Sequence, residues 1–364
     1  MATKGYQAPI AIHPGETVRE QLEFLGVSQT ELSLSSGLAE KTISEILNGK
    51  NPVTPETALK FERILSISSL GLLKMQAGYD SDVLRISELK RLQGEVQYLE
   101  RFKCYTELAK LGFVKKVKDK VQMVEELLRF FAVDSLLRVE QVVPVAFRKS
   151  NTKKVNSESL AAWLRMGVIE AQKSSMEVAE FNQEKLKANI EVMRRLMLSR
   201  AEEYYKELVK LCAECGVVFV CTNDLRGTYV NGATRWLTPK KVLVQMTLRN
   251  AYEDIFWFTF FHEIGHVLKH SKKEIFVDLT GQDQSELEQE ADAFAQKILI
   301  PATGEFSKLI ETLKSLDCRK WNVAISDFAD KNAVSKGVVA GRVAKETGEW
   351  RVVSKLRTKL QLVS

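Results

Sequence analysis

Histidine is scarce in this chain. There are four in 364 residues, and three of them, His262, His266 and His270, fall within nine positions. Cysteine is sparse too: the five, at 104, 212, 215, 221 and 318, are odd in number and carry no paired framework. That excludes a disulfide-stapled secreted fold and points to a reduced, cytoplasmic setting. No apolar run approaches the ~20 residues that span a bilayer, and Met1-Ala-Thr-Lys-Gly-Tyr6 lacks the apolar core of a secretion signal. A membrane partner is therefore not expected. Repeats and low-complexity tracts are missing as well.

What remains is an ordinary globular composition, 45% hydrophobic and 27% charged, long enough for two or three domains. The net charge of +6 is uneven. Residues 1–80 carry 7 Lys/Arg against 9 Asp/Glu, whereas residues 81–200 carry 23 against 16. Basic surface belongs to the middle of the chain, around Lys115, Lys116, Lys118 and Lys120, and such a run usually forms a solvated face. Cys212-x-x-Cys215 has no second pair near it, so it reads as two small apolar core residues. His13 reads as a structural residue of a turn, and Trp163 and Trp257 as core.

Short helices fill residues 10–78. Pro14-Gly15 precede an amphipathic run from Glu16 to Leu25, and Ser28 with Glu31 forms a capping box for the next helix, through Ser35. Gly37 turns the chain into a helix from Ala39 to Leu47, and Thr54-Pro55-Glu56 opens another. Leu34, Ile43, Ile46 and Leu47 read as core. Residues 85–214 are helical by periodicity, notably 124–131 and Asn182–Leu211, with a polar linker at Arg148–Lys154. From Gly216 the pattern changes. Val217–Cys221, Gly227–Trp236 and Val242–Met246 read as strands, followed by helices over Ala251–His270 and Ser285–Leu299. Residues 305–364 read as a small helical appendage with a hairpin at Thr347-Gly348.

The sharpest signal is His262-Glu263-Ile264-Gly265-His266. Positions i and i+4 of a helix lie ~40° apart, so the two imidazoles can share one ion. Glu263 then projects beside it as the base that deprotonates water. Zinc suits two imidazoles and a carboxylate with one open position, and manganese fits the same ligands. Three residues compete for the third place. His270 is ~12 Å along the helix from His262, too far to share an ion on an unbroken helix. Glu288 and Glu290 point ~200° apart. Glu288 shares its face with Ala291, Asp292, Ala295 and Leu299, a face that should pack inward; Glu290 shares its side with Glu286, Ala293 and Lys297. Glu288 is therefore the expected ligand, making the site gluzincin-like, and Asp292 can accept the free ring N–H of a ligating histidine. Arg235, a charge within an apolar strand, is a candidate for binding substrate or for pairing with an acid.

Trp257–His270, together with Glu288–Pro301, resembles the ImmA/IrrE metallo-endopeptidases. Gly232–Pro239 and Ser335–Arg342 fit the large branch with an N-terminal DNA-binding module, although Lys336 stands where a proline would be expected. The resemblance also points to Glu288, three before the alanine of the Ala-(Asn/Asp)-x-Phe-Ala pattern. Residues 13–65, through His13–Glu16, Gly26–Leu32 and Gly37–Lys50, resemble XRE-class helix-turn-helix repressors of the HigA type. In that geometry the helix from Ala39 enters the major groove with Glu40, Lys41, Thr42, Ser44 and Glu45, while Gln29, Asn48 and Lys50 lie near phosphates. Against this stand the acidic balance of the segment and the two glutamates of that helix. Two modules in a homodimer would supply the missing affinity.

The expected fold class is α+β multidomain: an all-α helix-turn-helix domain at 10–78, a helical middle region at 85–214, a zincin-like peptidase core at 215–304 with a small antiparallel or mixed sheet, and the appendage. The resemblance implies a zinc-dependent regulatory endopeptidase that cleaves a protein substrate, a repressor, in a stress, phage or toxin–antitoxin circuit. Strand 241–246, placed at a sheet edge, would hold the peptide by strand addition. The competing reading is a HigA-like antitoxin and transcriptional regulator that binds its operator DNA and a cognate toxin and whose metal site is structural or sensory. A dormant peptidase opened by a ligand or partner is a third. The intact Glu263 favours the enzyme, because a structural site does not need it.

Overall fold

The computed structural model describes residues 9–143, 155–199, 201–247, 252–271, 275–279, 285–301 and 303–360; the linker expected at Arg148–Lys154 lies outside the described residues. The chain divides into two compact units, residues 1–97 with 119–125, and residues 98–118 with 126–364.

The first unit is built from α1 (Pro14–Leu25), α2 (Gln29–Ser36), α3 (Glu40–Leu47), α4 (Pro55–Leu65) and the long α5 (Ser69–Glu95). Local chemistry sets the boundaries. His13 Nδ1 accepts the Gly15 N–H at the start of α1, and its ring meets Tyr79 edge-on. Ser28 and Glu31 form the reciprocal capping box of α2. Gly37 ends α2 in the left-handed region (φ 69°), and Thr54 caps α4. Val18, Leu32, Ile43, Ile46, Phe61 and Leu72 share one core. Leu34 is not part of it. It lies two residues from Leu32, on the opposite side of a two-turn helix, and is 80% exposed.

The chain continues through α6 (Tyr105–Lys110), α7 (Lys120–Phe131), α8 (Val139–Val142), α9 (Ser157–Lys173), α10 (Gln183–Arg195) and α11 (Ala201–Glu214). The run expected as one helix from Asn182 to Leu211 is thus two, separated at Ser199, where the backbone is extended. Four strands follow in part: β1 (Val217–Thr222), β2 (Val230–Thr238), β3 (Lys241–Thr247) and, after α12 (Glu253–Lys269), β4 (Phe276–Leu279). The sheet is mixed, in the order β1-β3-β2-β4, with β3 parallel to β1 and β2 antiparallel to β3 and β4. β3 is therefore an inner strand, and residues 241–246 are not a sheet edge. Its run from Val242 to Thr247 is buried on both faces, as an inner strand requires.

One face of the sheet, with Val217, Phe219, Val242 and Val244, packs in a core with Trp257, Phe260 and Phe261 of α12. α13 (Glu286–Leu299), α14 (Thr303–Ser315), α15 (Trp321–Lys331), α16 (Lys336–Thr347) and α17 (Trp350–Val353) complete the unit. The residues expected as an appendage join this same core: Ile325, Val339 and Val343 are fully buried in it. The hairpin expected at Thr347-Gly348 is instead a helix end, with Gly348 (φ 80°) donating its N–H to Ala344.

Candidate metal centre and helix-turn-helix face

α12 is apolar around most of its circumference because it is buried between the sheet and the helices α13 and α16. Its third and fourth turns carry His262 and His266, and His270 follows its last residue. Gly265 keeps α13 close, since a Cβ there would stand 3.3 Å from the Ala291 Cα. That approach brings Glu288 and Asp292 of α13 to the ring edges.

Three donor atoms converge. His262 Nε2 and His266 Nε2 are 3.0 Å apart, and Glu288 Oε2 is 3.0 Å from the first and 3.3 Å from the second. The far nitrogens are held separately. His262 Nδ1 lies 2.9 Å from Asp292 Oδ1, and His266 Nδ1 lies 2.8 Å from His270 Nδ1. His270 Nε2 lies 3.3 Å from Glu290 Oε2. His270 thus sits behind His266, away from the converging donors. Phe276 of β4 stacks on the His266 ring at 4.3 Å. Two borderline-soft nitrogens and one carboxylate, each nitrogen oriented by a partner on its other side, are a donor set that fits zinc.

Glu263 is fully buried. Its Oε2 accepts from the Thr234 hydroxyl at 2.6 Å, while Oε1 has no partner among the described residues. Burial pushes its carboxyl up to about 8, against the lowering effect of His262 and Thr234. For His262, burial pulls downward, but Asp292 and Glu288 outweigh it and raise the ring to about 10. His266 is lowered, by burial and by the neighbouring rings. Glu288 is held well below the usual carboxylate range despite its burial, because both histidines bond to it. Asp278 of β4 groups with His262 and Glu263, accepts from Asn231 at 3.1 Å, and is raised by burial.

Arg235 does not reach this site. Gly232 and Thr234 of β2 face α12, so the alternation of a strand turns Arg235 to the other side of the sheet. There it pairs in register with Leu243, which packs against Val168 of α9, and it feels Arg165 rather than an acid. Burial and that second cation both lower its pKa. The sequence reading also missed β4, and with it Phe276 and Asp278. The β-branched and aromatic run 275–277 was the available signal, but four residues are too few to show a period. Thr234 and Gly232 carried no signal of their own.

On the first unit, Gln29, Glu40, Lys41, Asn48 and Lys50 are exposed, and Thr42 and Ser44 are half-buried along α3. Lys41 approaches Glu45 at 3.9 Å, and Asn48 Nδ2 donates to the Ser44 carbonyl.

Two family models match the chain: a helix-turn-helix domain over residues 18–72 and the IrrE N-terminal-like domain of the M78 peptidase family over residues 250–343. A helix-turn-helix-type transcriptional regulator of Escherichia coli (strain K12), YddM, is 31% identical over 83 residues, 22% of this chain and 88% of that protein. The chain belongs to the helix-turn-helix regulators and also carries an IrrE-like peptidase domain. Virulence-associated protein I of Dichelobacter nodosus is 35% identical over 19% of this chain and 66% of that protein. A solved addiction module antidote protein of a HigA family from Coxiella burnetii is 29% identical, with 24% of this chain and 95% of that chain covered and a TM-score of 0.22. Among the described residues no helix is long and apolar enough to cross a membrane.

Proposed function

We propose that this regulator is a zinc-dependent endopeptidase that cleaves a repressor, joined to a module that binds operator DNA. The observation that carries the reading is the meeting of His262, His266 and Glu288 on one point beside a buried Glu263 with a free oxygen. His262, His266 and Glu288 would hold the ion. When bound, it would supply Lewis acidity to the scissile carbonyl and to water. Glu263 takes the proton from the attacking water on Oε1 and returns it to the departing amine, while Thr234 fixes Oε2 and thereby the direction in which Oε1 points. Asp292 and His270 orient the two imidazoles so that both Nε2 atoms stay turned to the same point. β4 has a strand partner only on its β2 side among the described residues, so the extended substrate adds there rather than on β3.

The module places Lys41, Thr42 and Ser44 of α3 in the major groove, with Gln29, Asn48 and Lys50 near phosphates. A homodimer would present two such modules to one operator, and a cognate toxin is the further partner in a toxin–antitoxin circuit. The regulator reading without turnover leaves the unpartnered oxygen of Glu263 without a purpose.

Mass spectrometry of cellular proteins, with wild type against Glu263→Gln, tests the enzyme. One repressor-like cleavage product confined to the wild type is expected. Identical protein sets, and identical behaviour of the two purified forms on every repressor offered, would leave the non-catalytic regulator.

A further inference from the structure

The metal centre opens at one end into a cleft of about 990 Å³. Its floor is one face of α12, where Asp254, Ile255, Phe258, Thr259 and His262 follow the i, i+1, i+4, i+5, i+8 pattern. From His262 to Asp254 that face runs ~12 Å, the length of three to four extended residues. The walls come from α13, α14 and α16, and Leu299, Phe306 and Ile310 line the cleft together with Phe258. These apolar side chains border the centre where a peptide bond is to be cut.

One charged group along the cleft is poised for a bound chain. Lys345 of α16 holds its ammonium 4.9 Å over the Phe258 ring and 4.0 Å from Asp292 Oδ2, at the outer limit of an ion pair. Asp292 is already engaged by His262 through its other oxygen. At the far end, buried Asp254 pairs with Arg357 through Oδ2, and the backbone N–H groups of Asp254 and Ile255 also hold its carboxylate.

We propose that this cleft is the specificity site of the peptidase. It selects a large apolar side chain beside the scissile bond, seated among Phe258, Leu299, Phe306 and Ile310, with an acidic residue next to it facing Lys345. The inference rests on the peptidase reading for the position of the scissile bond, but the binding preference stands apart from turnover.

The test uses full-length, zinc-loaded protein and a proteome-derived peptide library. Peptides retained by immobilised Glu263→Gln protein are sequenced, and the sites cut by wild type are read from the same library. Leu, Ile, Phe and Met should be enriched about tenfold over Ala at one fixed position in the retained set, with Asp or Glu beside it. Ile310→Lys should erase the apolar enrichment, and Lys345→Glu should turn the acidic preference basic, both with zinc content equal to the parent. Retained peptides without apolar enrichment, no retention at all, or an enrichment that survives Ile310→Lys overturns the proposal. Retention with the expected enrichment but no cutting by wild type sinks the peptidase reading and leaves the cleft assignment. Cutting without enrichment does the reverse.

Discussion

Gly232 leaves open the space that Glu263 occupies: a Cβ at position 232 would stand 2.4 Å from Oε1 and 2.9 Å from Cγ of that glutamate. The contact joins β2 to α12 at the Glu263 oxygen that has no partner among the described residues. Gly232→Ala must therefore displace Glu263 or bend β2. Because the atoms nearest that Cβ belong to Glu263 and Thr259 and not to the three converging donors, zinc content should remain, while cleavage falls about a hundredfold or more, the scale set by a misplaced reacting group. Metal analysis together with a cleavage assay on the variant checks this. Unimpaired cleavage would mean that Oε1 does not carry the proton.

The same burial makes the metal-free protein pH-sensitive. The folded Glu263 carboxyl sits at about 8, above its usual 4.5. A raised folded pKa favours the protonated form, so the contribution to stability is complete below about pH 4.5 and is lost as pH rises through about 8. Glu263→Gln does not titrate. In the metal-free state it should be more stable to unfolding than wild type at pH 9, by an amount on the order of a few kcal/mol, and the gap should close towards pH 5. Parallel melting curves across that range would refute the burial penalty. With zinc bound, the variant should keep its metal and its fold and lose cleavage, since only the base is removed.

Metal retention separates the surrounding residues by depth. Glu288→Gln removes a converging donor and should weaken zinc binding sharply. Asp292→Asn and His270→Ala each take a partner from a ring nitrogen, and a loss of about 10- to 100-fold is the usual result of such a change. Glu290→Gln, at an exposed site beyond His270, should leave zinc in place. Competition with a chelator on the purified variants ranks them. Retention by Glu288→Gln with loss by Glu290→Gln would overturn the ligand assignment.

These residues differ in how far the sequence exposed them. The convergence of His262, His266, Glu288 and Asp292 was legible because helical periodicity fixes which residues of each helix share a face, and the small and apolar neighbours of Glu288 show which face packs inward. The helix caps of the first unit were legible for the same local reason. Arg235 was misread because a strand offers only two directions, and choosing between them requires knowing which face α12 covers. The placement of β3 failed on the same ground: strand order is a matter of long-range pairing that no local pattern carries. His270 was excluded as a ligand by distance along the helix, yet its role behind His266 depends on rotamers that spacing does not determine. Leu34 shows the converse, an apolar residue on a helix too short to declare its buried side.

DNA binding turns on a balance of charge within α3. Lys41 is exposed and Glu40 precedes it, so the helix carries an exposed cation beside an exposed acid. The Lys41–Glu45 approach at 3.9 Å is largely solvated and contributes little to stability. Lys41→Ala should therefore leave the melting temperature of the full-length protein unchanged. If Lys41 meets a phosphate, affinity for the operator should fall for every sequence alike and the salt slope should become shallower by about one. A base contact would instead relax the preference at one operator position and leave the slope nearly as it was. Titration of the protein's own promoter region at several salt concentrations distinguishes the two. If wild type shifts no promoter DNA even at low salt, the acidic balance of the first unit prevails, and Gln29, Lys41, Asn48 and Lys50 belong to a protein-contact surface.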